Sequence, residues 1–467
     1  MAGEFFVDSI PDNWEVTTLG KIVKLGGGVI QTGPFGSQLH ASDYVVDGIP
    51  FIMPVNIGDN RIIEEGVARI SKEDAQRLTR HRIRAGDIIY SRRGDVERRV
   101  LARSEQDGWI CGSGCLLVRV GVGIVAPVYA AYYLGHTTVR EWVVRHAVGA
   151  TMPNLNTSIM EALPFLLPPL KEQRAIACIL GALDDKIELN RRINRTLEAM
   201  ARALFQSWFV DFDPVRAKLA LNGAEGAAGL KPAIAALFPD RLVAVDGREM
   251  PEGWKLTTLG DVTAKHGGLI QTGPFGSQLH ASDYVEAGIP TIMPKDISDR
   301  RVRTEKIAYI DEADAARLGR HRVAPGDIVY SRRGDVERHA LIGKREQGWL
   351  CGTGCMLVRP GARWPSPLFM SLHLDRPDIK EWITQHAIGA TMPNLNTSVL
   401  GQVPILAPSH TILKAFEVLA GPLDEKSADN DRQSRTLAAL RDTLLPKLIS
   451  GALRVADAER IVGRCVS

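Results

Sequence analysis

Ile30-Gln31-Thr32-Gly33-Pro34-Phe35-Gly36-Ser37-Gln38-Leu39-His40-Ala41-Ser42-Asp43-Tyr44-Val45 recurs letter for letter from Ile270 to Val285, an offset of 240 residues (270 − 30). The same offset carries Pro11 and Trp14 onto Pro251 and Trp254. It carries the run Tyr90 to Arg98 onto Tyr330 to Arg338, and Gly149 to Asn156 onto Gly389 to Asn396. A constant offset leaves no net insertion between the copies. A period this long is that of a whole domain, not a solenoid unit. A chain that carries one binding surface twice is built to read a target that itself has two halves.

The 467 residues permit two or more domains with full cores, and 45% hydrophobic with 24% charged content is that of a globular protein. Net charge is only +3, so positive charge acts locally. Between Arg77 and Arg103 lie Arg80, Arg82, Arg84, Arg92, Arg93, Arg98 and Arg99. Arginines flanking a glycine fit a polyanion groove better than a solvated helix face. Six cysteines make no disulfide framework in a chain this long. Cys111 and Cys115, with Cys351 and Cys355, lack partner ligands at zinc spacing and read as buried strand edges. No apolar run is long enough to span a bilayer, and no signal peptide opens the chain. The expected compartment is a reducing cytoplasm.

Each copy divides into a Gly-rich segment of short β-type runs and helical patches, then a long helix. Mixed α/β domains are expected at 1–167 and 251–407, spacer helices at 168–210 and 408–455, a linker at 211–250 and a frayed tail at 456–467. From Ile176 the apolar positions step by four and three through Leu180, Leu183, Ile187, Asn190, Asn194, Leu197, Ala201, Leu204 and Trp208. That is a heptad seam. Some 40 residues span roughly 60 Å. The second seam runs Phe416, Ala420, Leu423, Ser427, Asn430, Ser434, Leu437, Arg441 and Leu444. Pro422 and Pro446 need edge or first-turn placement or will kink it, and Pro422 after Gly421 offers an alternative start for the second helix. Both seams turn polar midway, which either fixes register or marks a wet, splayed centre. Leu221 to Gly229 reads as loop.

Catalytic signatures are missing. There is no phosphate-binding Gly-x-x-x-x-Gly-Lys-Ser/Thr loop, no His-Glu-x-x-His, no Gly-x-Ser-x-Gly and no amino-methyltransferase Asn/Asp-Pro-Pro-Tyr. Asp95 and Glu97 sit among cations and are expected to orient arginines or accept from a cytosine amino group rather than hold a nuclease metal. What remains is a recognition surface. Gln31, Thr32, Ser37, Gln38 and His40 flank the Gly-Pro-Phe-Gly turn, as do Gln271, Thr272, Ser277, Gln278 and His280 in the second copy. Arg92, Arg93, Arg98 and Arg99, with Arg332, Arg333 and Arg338, supply donors that suit guanine or phosphate, and Gln suits adenine. Thr151, Asn154 and Asn156, with Thr391, Asn394 and Asn396, form a second polar loop. The competing reading makes the Gln31 turn structural, its side chains serving local hydrogen bonds.

Two variable-type domains, each followed by a long helix, resemble the DNA-specificity (S) subunit of type I restriction–modification systems. The segments that carry the resemblance are Gly33 to Ser37 with Asp43-Tyr44, Pro168 to Ile176 leading to Leu183-Asp184-Asp185-Lys186-Ile187, Ser207 to Pro214, and Leu444 to Gly451. The resemblance covers nearly the whole chain. It implies a non-enzymatic protein with two target-recognition domains, each reading three or four base pairs of double-stranded DNA. It implies antiparallel helices that act as a ruler and dock two methyltransferase subunits, through seam positions Ile176, Leu180, Leu183, Ile187, Leu197, Leu204, Phe416, Leu423, Leu437 and Leu444. S-adenosylmethionine, ATP and Mg belong, on this reading, to the methyltransferase and restriction (translocase) subunits; this chain holds no cofactor and no metal.

One departure from the family stands out. Recognition domains of such subunits normally differ, whereas here they are close copies. Antiparallel helices would relate the copies by a pseudo-two-fold axis, so the expected target is an interrupted palindrome or near-palindrome, with half-sites about one helical turn apart. Parallel helices would give a direct repeat. Two other classes remain: a coiled-coil scaffold, which predicts no DNA affinity, and the recognition part of a combined type II restriction enzyme, which predicts metal-dependent cleavage by this chain alone.

Overall fold

In each copy, strands rich in Ile, Val, Leu and Tyr form a buried antiparallel sheet, as expected of runs whose both faces are covered. The computed structural model describes residues 10–34, 38–58, 60–149, 151–220, 231–245, 247–389 and 392–466. The described part falls into two compact units, residues 1–189 with 433–467, and residues 190–432. The cut passes through both long helices, so each unit pairs one α/β domain with half of each helix.

In the first unit the central sheet has the order Val29–Thr32, Cys115–Arg119, Ile88–Ser91, Arg99–Leu101. Its register sets Val29 opposite Arg119 and Tyr90 opposite Arg99. A second sheet holds Ala68–Ile70, Tyr44–Ile52 and Ile110–Cys111. Glu15–Thr18 pairs with Pro164–Leu167, so the domain's two ends meet. The second unit repeats this plan. Leu269–Thr272, Cys355–Arg359, Ile328–Ser331 and His339–Leu341 form its central sheet, and Lys255–Thr258 pairs with Pro404–Ala407. Cys111, Cys115, Cys351 and Cys355 are buried free thiols in these sheets.

The long helices are Leu170–Phe209 and His410–Ile449. In the first unit Ile176, Leu180, Leu183 and Ile187 share a core with Leu437, Leu444, Leu448 and Ile449. Arg441 reaches Asp184 at 2.6 Å, and Tyr132 of the domain donates to the same carboxylate at 2.6 Å. In the second unit Phe205, Trp208 and Phe209 pack on Phe416. There Asn194 donates to Ser427 O at 3.1 Å and Asn190 to Asn430 O at 3.3 Å. Rising numbers on one helix meet falling numbers on the other, so the two helices run antiparallel here. The polar midpoint is therefore bonded rather than splayed: Asn430 also donates to Asn194 Oδ1 at 2.9 Å.

Several expectations need correction. The second helix begins at His410, and neither Pro422 nor Pro446 breaks it. Both prolines are exposed, so the carbonyls of Val418 and Asp442 that they displace can turn to water. The tail is a helix, Val455–Val466, with Ala458 in the first unit's core. The linker holds helices Asp213–Ala220 and Pro232–Ala235 and a hairpin of Leu242–Val245 with Arg248–Pro251; Leu221 to Gly229 lies outside the described residues. The seam side chains turn inward. Ile176, Leu180, Leu183, Ile187, Phe416, Leu437 and Leu444 are buried within their own units, and Leu197, Leu204 and Leu423 are partly so.

Candidate nucleic-acid interface

Four segments separated in sequence are laced together, mostly by backbone hydrogen bonds. Gly33 N donates to Cys115 O at 2.9 Å, and Ser113 Oγ to Pro34 O at 2.9 Å. A Cβ on Gly33 would lie 1.9 Å from Gly112 O, so only glycine lets the turn sit flush on the 112–114 loop. That loop's Gly114 O accepts from Arg92 N at 2.7 Å. Leu155 N then donates to Arg92 O at 2.9 Å and Gly94 N to Pro153 O at 3.0 Å, with Arg93 bridged to Asn154. Gly94 has φ +75°, the left-handed turn that swings the arginine loop outward. The second domain repeats the lacing: Arg332 N to Gly354 O at 2.8 Å, Leu395 N to Arg332 O at 2.9 Å, and Gly334 N to Pro393 O at 3.1 Å.

The side chains divide by role. Arg93 is exposed and makes no ion pair among the described residues, and the same holds for Arg333. Arg92 is half-buried, its Nε on Leu155 O at 3.1 Å; Arg332 holds Leu395 O at 3.2 Å and lies over the exposed Phe275 ring at 5.7 Å. Burial, and then the charge of Arg93, depresses the Arg92 pKa. Unopposed positive charge of this kind is what a polyanion would relieve. Arg98 is exposed but pairs with Asp95, as Arg338 pairs with Asp335 at 2.7 Å, and Glu97 pairs with Arg140 at 3.0 Å. The two acids do orient cations.

Other expected readers are committed elsewhere. Arg99 points inward, 9% exposed, with Nε on Ala131 O at 3.0 Å, because strand pairing sets it beside Tyr90 in the core. It is a structural residue, not a DNA contact. Asn156 and Asn396 cap helices by accepting from Ile159 N and Val399 N at 2.8 and 2.7 Å. Gln31 Nε2 donates to Arg80 O at 2.6 Å and Gln271 Nε2 to Arg320 O at 2.7 Å. Each ties the first loop to an exposed arginine's backbone. Thr32 and Thr272 are half-buried beside them. Gln278 Oε1 accepts from Phe275 N at 3.1 Å, folding its turn on itself; Gln38 is exposed. His40 and His280 are exposed, and their backbone N–H groups donate to Asp43 and Asp283 at 2.8 and 2.7 Å. Ser277 and Thr151 are exposed, and Asn154 and Asn394 are half-buried. Ser37 and Thr391 lie outside the described residues.

Arg80 and Arg320 were not singled out as readers by the sequence, yet the glutamine bonds bring them to the rim. The signal was the Gln-to-Arg pairing across 49 residues in both copies. Gln173 was missed altogether. Fully buried, it accepts from Ala126 N at 2.9 Å and donates to Pro168 O at 2.7 Å, fastening helix to domain.

Residues 11–199 match the family described as type I restriction modification DNA specificity domain. The chain is similar to the type I restriction specificity subunits. It is 27% identical over 446 residues to the HindI specificity subunit of Haemophilus influenzae, covering 86% of this chain and 95% of that one. It is 24% identical to the MjaIX specificity subunit of Methanocaldococcus jannaschii, covering 97% and 96%. The fold is that of the type I S subunit from M. genitalium, with a TM-score of 0.58, 17% identity, and 95% and 98% of the two chains covered. Among the described residues, no helix is long and apolar enough to cross a membrane.

Proposed function

We propose that this chain is the sequence-specific DNA-binding subunit of a type I restriction–modification complex and is itself without catalytic activity. The observation that carries this is the laced loop surface, present in both copies, from which Arg93 and Arg333 project without ion-pair partners. Backbone N–H groups and half-buried arginines position phosphate, and the free arginines are placed to read guanine or phosphate. On this reading methyltransferase subunits, and restriction subunits where present, dock on the outer helix faces. They supply the S-adenosylmethionine, ATP and Mg sites.

The target is an interrupted palindrome or near-palindrome. Support comes from the identical loops and from the antiparallel helix pair of the second unit, in which Asn190 meets Asn430, its own repeat equivalent. A repeat that closes on itself in this way reads its second word in the opposite sense along the duplex. The test is methylome sequencing of a host carrying the chain with its methyltransferase, beside assays of the purified chain. The same short word, inverted across a fixed gap, is expected, with no methylation or cleavage by the chain alone. Two unrelated words refute the identity argument, and a direct repeat refutes the antiparallel one. Methyl transfer by the isolated chain refutes the whole reading, and absence of DNA affinity leaves a scaffold.

A further inference from the structure

We propose that Met152 and Met392 act as apolar wedges that enter the base stack, one in each half-site. The inference rests on the DNA-binding reading above and names what the interface does to the duplex.

Val148 N donates to Asn154 O at 3.0 Å and Asn154 N to Val148 O at 2.9 Å, closing a hairpin at the end of helix Thr137–His146. Ile388 and Asn394 close its counterpart at 2.9 Å in both directions. Leu155 and Leu395, just beyond, are buried and anchor the base of each hairpin. The outward residues are apolar: Met152 is 61% exposed, Met392 63%, Val148 62% and Ile388 58%.

Scattered exposed apolar residues are ordinary on any surface. The repeat separates the ordinary from the retained. Val46, Leu25, Val55 and Val144 are exposed in the first copy, and Glu286, Lys265, Lys295 and Thr384 stand in their places in the second. Val45 with Val285 (39% and 40%) and Val16 with Leu256 (41% and 47%) are also apolar and exposed in both copies, but the hairpin holds the most exposed of the retained positions, a methionine in both copies and a branched aliphatic residue beside it. It is also the element bonded directly to the loop that carries Arg93 or Arg333. An apolar side chain on a hairpin bridged to a loop whose guanidinium has no ion pair among the described residues matches a nucleic acid, whose charged backbone flanks apolar base faces. Methionine is unbranched and polarizable, suited to slip between bases, and such wedges unstack a step and kink the duplex.

The experiment uses the full chain with its methyltransferase and the duplex that this complex enriches from a random-sequence pool. A fluorescent base analogue replaces each position of each half-site in turn, the methylated adenine excepted. With the unaltered protein, emission should rise several-fold at one step in each half. Met152→Ala should abolish the rise in one half only and weaken binding about tenfold, whereas Met152→Leu should keep both. Arg93→Ala should weaken binding but keep the rise at saturating protein. A rise that persists in the Met152→Ala, Met392→Ala double variant overturns the proposal. So does affinity unchanged within twofold, or a variant that loses the methyltransferase and not the DNA. If the unaltered complex enriches no duplex, the DNA-binding reading has failed, not the wedge alone.

Discussion

In the first domain Arg99 turns inward and lays its guanidinium where Gly135 leaves room; a Cβ there would lie 1.3 Å from the Arg99 Nη2. In the second domain the same two positions hold His339 and Asp375. His339 bonds Ser371 O at 3.1 Å, and Asp375 gathers Arg202 at 2.6 Å, Lys380 at 2.5 Å and Arg300 at 3.8 Å. Tyr129, Tyr132 and Tyr133 of the first interior become Phe369, Leu372 and His373. Above these rebuilt cores the loops Tyr90 to Arg98 and Tyr330 to Arg338 are identical. The difference teaches what each layer answers to. An interior needs only to fill space and satisfy its polar atoms, and two solutions serve equally. The loops answer to something outside the chain, and there the two copies have one solution.

The largest test of that contrast is to remove the second interior's anion. Asp375→Ala leaves Arg300, 6% exposed, without the acid it pairs with at 3.8 Å and with Asp424 as its main opposing charge. A loss of about 3–5 kcal/mol is expected in the second unit, with the first unaffected, as read by proteolysis of each unit across a denaturant series. Equal loss in both units would break the comparison.

The helices offer the next. Leu183 is 2% exposed, while its equivalent Leu423 is only partly buried. Leu183→Asp should cost about 3–4 kcal/mol and Leu423→Asp clearly less, by chemical denaturation. The reverse order would mean the seams are not packed as described.

Acid should part the units as well. Burial holds His339, His373 and His321 down to about 4, against the ordinary 6.5. Below pH 6.5 the unfolded chain takes protons that these folded sites refuse. Stability is therefore full above 6.5 and is lost as pH falls towards 4, by at most about 1.4 kcal/mol per histidine per pH unit. The first unit has His81 and His136 depressed for the same reason, but Arg99 and Tyr133 stand where His339 and His373 do. Unfolding followed by hydrogen exchange from pH 7 to 5 should show the second unit yielding first.

Where the copies agree, so should their variants. Arg93→Ala and Arg333→Ala should each cost about 1–3 kcal/mol of binding, with relaxed choice at one base, if they read guanine. If they meet phosphate, the salt slope falls by about one on every sequence. Unequal losses would show that identical loops do unequal work. The smallest effect belongs to Arg98→Ala, since exposed pairs such as that with Asp95 are worth about 0–1 kcal/mol; the melting temperature should barely move.

The seams were legible in the sequence because a buried helix stripe must recur with the helical period, and Ile176 through Trp208 does so. The continuity of the second helix was not. Proline's cost depends on whether its face is wet, which Pro422 and Pro446 do not announce. The arginine cluster was legible as charge and illegible as direction. Strand pairing sends Arg99 into the core, a local turn pairs Arg98 with Asp95, and Arg93, at the tip of its loop, is left outward with no ion pair among the described residues. Asn156 reads as a polar loop residue until the helix it caps is known. Gln173 gave no sign, since a buried amide's worth lies in carbonyls brought to it by distant chain.

Identical stretches 240 residues apart also invite unequal exchange between the two halves of the gene, and for a crossover in one of them the ion group under the second domain marks the product. A crossover within the run Tyr90 to Arg98 would join residues up to 98 to those from 339 onward. Such a chain inherits Asp375 and Lys380 but neither Arg300 nor Arg202, so the carboxylate keeps one of the three cations that hold it. The shortened protein would carry a charge buried without its full complement, the kind of fault that cellular proteolysis removes. A crossover in that run, unlike one within Gly149 to Asn156, thus leaves its mark in the core while the surface loop stays whole.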